Sequence, residues 1–351
     1  MTLRLSFLAA ILLVGACNSG GSGSSDDQTG DDNMTGDDGS GSDPGTCSPL
    51  TPRSVDPETF IGPTGLQDRI GAFFDGAQTS LDVQMYLWTV KPLAQKLIDA
   101  KNRGVTVRVI LDPDEAGNAA VEPMLTNANI PWRNASSIYT YAHAKYIVRD
   151  GSAGAIMSMN FNADAMASGS SGERNYGLID KDPDDVKDLG AIFKQDWALA
   201  SNGAETAQPA DLSCTRLVVS PTNSKTRLLA HINSARQSLA LEVMYLSETD
   251  VRAAVLAAKD RGVDVRVIIG DDTDDSIPML EAKGIPVKTA TSFYLHAKLI
   301  VADDVAFVGS ENMSYTSLVK NREVGALVFE PSAMPVITQQ FEADWTGAKT
   351  L

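Results

Sequence analysis

Cysteine and histidine are scarce in these 351 residues, with three of each, and there are only four tryptophans. Three cysteines exclude a disulfide-dense small domain and a cysteine-built zinc site. Three histidines leave few candidates for any chemistry that needs imidazole. Basic charge is short as well. Against 45 Asp and Glu stand 29 Lys and Arg, a net charge of -16, so no chain-wide basic footprint for nucleic acid exists. No GxSxG elbow, phosphate-binding P-loop or GxGxxG fingerprint occurs, which removes the main support for hydrolase triads and nucleotide folds. No apolar run is long enough to span a bilayer as mature structure. What is present is ordinary globular usage, 43% hydrophobic and 21% charged, in a length that suits about two domains.

The N-terminus reads as an address. Arg4 and the terminal amine precede an apolar run from Leu5 to Val14 and then small residues, the pattern of a secretory signal over residues 1–16. Leu13-Val14-Gly15-Ala16-Cys17 resembles the lipobox of bacterial lipoproteins. By that resemblance Cys17 is lipidated and becomes the mature N-terminus, and Asn18 after it implies the outer membrane in a Gram-negative host. Residues 17–46 are nearly all Gly, Ser, Asp, Asn and Thr. Such a segment has too little apolar surface to offset its ordering entropy and reads as a disordered linker. The expectation is an exported, lipid-anchored protein of the cell envelope. In that oxidising compartment Cys47 and Cys214 have two choices, a disulfide or two free thiols. The folded remainder still carries -10.

The rest of the chain is an internal repeat. Ala100 to Ile110 (AKNRGVTVRVI) matches Ala258 to Ile268 (AKDRGVDVRVI), and Ser80 to Leu87 matches Ser238 to Leu246. Tyr141-Ala-His143-Ala-Lys145 matches Tyr294-Leu-His296-Ala-Lys298, in the same order. The two copies cover residues 47–205 and 206–351, joined near an Ala/Gln/Pro-rich stretch around 200–212. Each alternates strand and helix: strands over 81–87 and 239–246, helices with apolar spacing at Leu93, Leu97, Ile98 and at Val251, Val255, Leu256, C-terminal caps at Gly104 and Gly262, then strands over 105–111 and 263–269. This alternation implies an α/β fold class of two homologous α/β/α sandwich domains with mixed, largely parallel sheets. A further strand is expected to carry each His-x-Lys.

Two of the three histidines fall in one pattern, His143-x-Lys145-x-x-x-x-Asp150 and His296-x-Lys298-x-x-x-x-Asp303. On a strand, positions i and i+2 share a face, so each copy sets an imidazole beside a cation. Downstream lie Ser158-Met-Asn160 and Ser310-Glu-Asn312, then Arg174-Asn175 and Arg322-Glu323. Two ammonium groups and two carboxamides make a donor cage for an anion with several oxygens, and a phosphodiester suits it. One neutral histidine can attack phosphorus while the other supplies and removes protons, if the copies pack face to face about a pseudo-two-fold with the site at their interface. No metal or cofactor is required.

This duplicated HxKxxxxD motif resembles the signature of the phospholipase D superfamily, and the resemblance covers nearly all of residues 48–351. It implies a metal-independent phosphodiesterase releasing phospholipid headgroups to leave phosphatidic acid, with or without transfer to an alcohol. It implies a catalytic set of His143, Lys145, Asp150, His296, Lys298 and Asp303. His143 would form the phosphohistidine and His296 would be the general acid and base. Lys145, Asn160, Lys298 and Asn312 would hold the phosphate, and Glu323, Asn175, Ser158 and Ser310 would support from behind, with Asp150 and Asp303 structural or supporting. Two positions depart from symmetry. Met157 stands where the second copy has Gly309, and Asn175, which brings no charge, stands where it has Glu323. Glu173 is a substitute on that side.

The alternatives are an exported nuclease of the same superfamily, disfavoured by acidic charge because polyanion binding neutralises several phosphates, and an inactive lipid-tethered phosphate-binding module. A monomer is expected, with a membrane as its neighbour through the anchor. His231 reads as a packing residue, Asp271 to Asp275 as a solvated loop, and Tyr86 and Tyr245 as cleft-lining residues or as core or rim packing.

Overall fold

The computed structural model describes residues 48–351 apart from 201, 202 and 204. The expected signal, linker, lipidation residue Cys17 and disulfide candidate Cys47 lie outside the described residues. Cys214 is disulfide-bonded.

In the first half, strands β1 (Glu58–Ile61), β2 (Ser80–Met85), β3 (Thr106–Leu111), β4 (Trp132–Asn134), β5 (Tyr146–Arg149), β6 (Ala153–Met157), β7 (Glu173–Arg174) and β8 (Tyr176–Asp180) alternate with helices α1 (Leu66–Asp75), α2 (Lys91–Asn102), α3 (Glu122–Asn127), α4 (Ala163–Met166) and α5 (Pro183–Leu199). The second half repeats the plan. It has β9 (Leu217–Ser220), β10 (Ser238–Val243), β11 (Asp264–Ile269), β12 (Val287–Thr289), β13 (Tyr294–Leu295), β14 (Lys298–Ala302), β15 (Val305–Gly309), β16 (Glu323–Val328) and β17 (Lys349–Thr350). Its helices are α6 (Ser224–Ser234), α7 (Thr249–Asp260), α8 (Ile277–Ala282), α9 (Tyr315–Val319) and α10 (Met334–Gly347).

Both large sheets are mixed, in the orders β1-β8-β6-β5-β2-β3-β4 and β17-β12-β11-β10-β14-β15-β16-β9. The βαβ blocks give the parallel pairs β2–β3–β4 and β10–β11–β12. The hairpins that follow each His-x-Lys give the antiparallel pairs β5–β6 and β14–β15. Gly104 and Gly262 end α2 and α7 with φ of 95° and 87°, and the next N–H, of Val105 or Val263, reaches back to Ala100 or Ala258. A side chain would be strained there, which explains glycine at both places.

Side chains on β2 alternate as a strand between two layers requires. Leu81, Val83 and Met85 pack under α1 and α2, while Gln84 faces the other way and is buried. Leu239, Leu241 and Val243 do the same under α6 and α7. The opposite faces of the two sheets share one core. It holds Val186, Leu189 and Phe193 of α5, Ile337 and Phe341 of α10, and Tyr146, Tyr176, Leu299 and Val324 from the strands. Two buried ion pairs cross that core reciprocally: Arg174 to Asp344 at 2.9 Å and Arg322 to Asp196 at 2.8 Å. Each arginine comes from one half and each aspartate from the other, a pseudo-two-fold arrangement.

Candidate active site

His143 and Lys145 lie just before the strand expected to carry them, and His296 lies just before its strand, of which Lys298 is the first residue. Strand β5 starts at Tyr146 and β14 at Lys298. The reason is a swap of backbone partners. Ala142 forms a parallel bridge with Arg322 of the other half, and Leu295 pairs in parallel with Arg174 through β13 and β7. Each histidine follows its bridge directly and is thereby set beside the residue after the other half's arginine.

His143 Nδ1 lies 2.8 and 3.0 Å from the two carboxylate oxygens of Glu323. His296 Nδ1 lies 2.9 Å from Asn175 Oδ1. Support is therefore crosswise: the uncharged Asn175 serves His296 of the other half, and His143 has the full carboxylate of Glu323. Both partners are acceptors, so each Nδ1 carries the proton and each Nε2 keeps its lone pair.

Neither acceptor is left to itself. Glu323 also accepts from Ser310 Oγ and Ser317 Oγ, both at 2.7 Å, and from Asn321 Nδ2 at 3.0 Å. Burial alone would raise its carboxyl, but His143, Lys145 and Asn321 together hold it below the ordinary range. Asn175 Oδ1 also accepts from Ser158 Oγ at 2.8 Å, and its Nδ2 donates to Glu173 Oε2 at 3.1 Å. Glu173 thus stands behind Asn175 rather than replacing it, 3.7 Å from His296 Nδ1. Ser317, Asn321 and the relay through Asn175 were not visible in the sequence pattern; serines and asparagines near a glutamate carry no signal of their own.

Lys145 and Lys298 are buried, and each Nζ turns back to the carbonyl oxygen of its own histidine. Lys145 also lies 4.9 Å from the centre of the Tyr86 ring, and Lys298 Nζ is 3.1 Å from Met244 Sδ. Burial pulls Lys145 well below the ordinary lysine range, against the attraction of Glu323. Burial pulls Lys298 down to about 7. Burial likewise takes His143 down to about 4, with Glu323 opposing and Lys145 and Lys298 adding to the fall. His296 falls well below 6.5 through burial and the same two lysines. Burial is the first cause of all four depressions, because it removes the water that would stabilise each charged form. The carboxamide oxygens of Asn160 and Asn312 are buried without a protein partner, and each asparagine follows its β6 or β15 strand by three residues.

Asp150 and Asp303 are not part of this cleft, which corrects their place in the catalytic set. Each sits at φ of 56° or 53° at the far end of its strand, seven residues of chain, or roughly 20 Å when extended, from its histidine. The Asp150 carboxylate accepts the backbone N–H groups of Gln78, Thr79 and Ser80. Asp303 does the same for Arg236, Gln237 and Ser238. Both tie a helix-to-strand turn to the β-hairpin. Asp303→Ala is expected to lower stability by about 1–2 kcal/mol, read from the urea midpoint, with kcat nearly unchanged; a large fall in kcat at full stability would return Asp303 to the reaction.

The remaining expectations resolve simply. His231 is buried with Nε2 3.2 Å from Ile300 O, a packing role. Asp271 and Asp274 accept backbone N–H groups within their own turn and from Leu246. Gly309 has a local cause: a Cβ there would lie 2.5 Å from Glu311 Oε2 and 2.6 Å from Gly325 Cα. The first half has Met159 in place of Glu311, and Met157 there replaces the glycine.

A family model described as cardiolipin synthase, PLD-like domain, matches residues 70–197 and 228–345. Cardiolipin synthase 2 of Bacillus cereus is 25% identical over 299 residues, covering 71% of this chain and 55% of that protein. The cardiolipin synthase of Geobacillus thermodenitrificans is 24% identical, covering 86% and 68%. The chain thus spans about half the length of the first of these relatives. Among solved structures, the phosphatidylserine synthase of Haemophilus influenzae aligns with a TM-score of 0.64 at 12% identity, over 84% of this chain and 87% of that one. A polyphosphate kinase of Porphyromonas gingivalis aligns at 0.65 and 17%, over 84% and 48%. At such identities these two show the fold alone.

Proposed function

The chain belongs to the phospholipase D superfamily, in the family of PLD-like domains named for cardiolipin synthase, and from that premise we propose that it cleaves a phospholipid diester through a phosphohistidine on His143. One observation carries the assignment of roles: the two histidines are held alike at Nδ1, but one by a carboxylate and the other by an amide. Nε2 of His143 attacks phosphorus, and the positive charge that develops on its ring is balanced by Glu323. The departing alkoxide takes the proton from Nε2 of His296, which its neutral Asn175 partner leaves readier to give it up. Water, or an alcohol, then loses a proton to His296 and displaces His143 from phosphorus. Lys145, Lys298, Asn160 and Asn312 face the non-bridging oxygens and stabilise charge as it spreads there. The bound anion restores the proton on His296 that burial removes in the free protein.

The acidic charge of the chain favours a single-phosphate lipid over a long polyanion, and the named activity of its relatives supports a phospholipid substrate. Lipid anchoring through Cys17 belongs to this proposal as the reading that puts the site beside its substrate. The test uses the purified chain with mixed phospholipid vesicles in chelator, following free headgroup, phosphatidic acid and, with added glycerol, the transferred product. No turnover of any phospholipid, or turnover only with added divalent metal, overturns the proposal.

A pH dependence follows. Lys298 holds phosphate only when charged, and its pKa of about 7 means that the charge is lost as pH rises through that value. KM is expected to climb above about pH 7. His143, neutral above about pH 4, places the acid limb near that value. Initial rates across pH 4–9 check both limbs.

A further inference from the structure

Nine large apolar side chains are exposed among the described residues, and four of them, Ile138, Tyr141, Tyr294 and Tyr315, lie within five positions of His143, His296 or Asn312. Their exposures run from 39% for Tyr141 to 63% for Ile138. Solvent-facing apolar groups gathered at one place, rather than scattered singly, mark an interaction surface.

Contacts join Tyr141 and Tyr315 into one surface drawn from both halves, with exposed Ile138 three residues before Tyr141. The segment leading to Tyr141 meets the end of α9, where Thr140 N–H donates to Lys320 O at 3.0 Å. Lys320 Nζ lies 5.5 Å from the centre of the Tyr315 ring, and Lys225 Nζ lies 5.9 Å from it. Lys225 is paired with Glu248 and Asp250, whereas Lys320 makes no ion pair among the described residues. The surface continues into the site: the Tyr141 ring is 6.1 Å from Tyr86, and Tyr86 is 4.7 Å from His143. On the other side Tyr294 stacks over His296 at 6.5 Å.

We propose that Ile138, Tyr315 and Lys320 seat the mouth of the cleft on a phospholipid bilayer bearing anionic headgroups. Tyrosine suits the boundary between acyl chains and headgroups, where its ring is half dry and its hydroxyl wet. Isoleucine enters the apolar layer. An unpaired lysine in an otherwise acidic chain supplies the attraction to anionic lipid. The lipid then reaches the histidines past Tyr141 without leaving its layer. This inference rests on the phospholipid reading above and adds which surface meets the lipid.

The test compares Ile138→Ser/Tyr315→Ser and Lys320→Gln with the parent. Vesicles of phosphatidylglycerol with phosphatidylcholine, and of phosphatidylcholine alone, are scored for co-sedimentation and turnover. Turnover of a short-chain monomeric phospholipid below its micellar concentration is the control. The double variant is expected to lose at least tenfold in binding and turnover on mixed vesicles while keeping monomer turnover. Lys320→Gln is expected to lose about fivefold on mixed vesicles and little on phosphatidylcholine. Unchanged vesicle binding by both variants overturns the surface, as does an equal loss on monomer and vesicle. A parent that binds mixed vesicles through these residues yet turns over neither substrate fails the functional reading while the surface stands.

Discussion

His143→Ala is expected to reduce diester turnover by about 10⁴-fold or more, because the atom that bonds to phosphorus is gone. His296→Ala is expected to divide the reaction in two. With an ordinary lipid it loses turnover almost as completely, since an alkoxide of high pKa leaves poorly without a proton. With a p-nitrophenyl diester the first step needs no acid, but the second still needs a base to activate water. A burst of one p-nitrophenolate per protein is expected, followed by a covalent adduct on His143 that tryptic mass spectrometry locates. An adduct on no residue in His296→Ala, with the burst absent, would falsify the double-displacement route. An adduct that forms on His296 in His143→Ala, but none on His143 in His296→Ala, would reverse the two roles.

Glu323→Gln is the second large effect. The substitution keeps size and keeps an oxygen for His143 Nδ1, but it removes the charge and sets an amide NH2 among Ser310, Ser317 and Asn321, where Asn321 Nδ2 can only donate and a serine hydroxyl must turn round to accept. The charge opposing imidazolium is lost, and the ring can turn over to the wrong tautomer. Removing the carboxylate behind a catalytic histidine in other enzymes costs up to about 10⁴ in rate, and a loss of 10²–10⁴ in kcat with little change in KM is expected here. Asn175→Ala is expected to lose less, because Glu173 stands 3.7 Å from the same ring and can close on it. Steady-state kinetics on one monomeric substrate decides the order; equal losses would mean that the carboxylate and the amide do the same work.

Most of the fold was legible because its signals are local. The apolar faces of α2 and α7, the glycine caps and the strand edges at Ser80 and Ser238 all sit within a few residues of the pattern that announces them. The duplication was legible because the two copies kept the same residues in the same order. What the sequence hid is long-range. His143 and Glu323 are 180 positions apart, and His296 and Asn175 are 121 apart. Reading each copy by itself pairs every histidine with the support residue of its own half. The parallel bridges Ala142 to Arg322 and Leu295 to Arg174 reassign them, and no short-range pattern announces a bridge. Asp150 and Asp303 misled for the opposite reason. They are close to the histidines in the motif, yet a strand carries them away from the cleft to the turns they hold.

The pseudo-two-fold has a consequence for direction. A phosphodiester is itself nearly two-fold: two ester arms and two non-bridging oxygens are arranged about one phosphorus. A perfectly symmetric cleft would accept such a molecule in either sense and cleave either arm. Here the dyad is broken where Glu323 answers Asn175. On the proposed reading, that single carboxylate-for-amide difference sets which face of phosphorus is attacked, and so which ester arm departs and which stays with the protein.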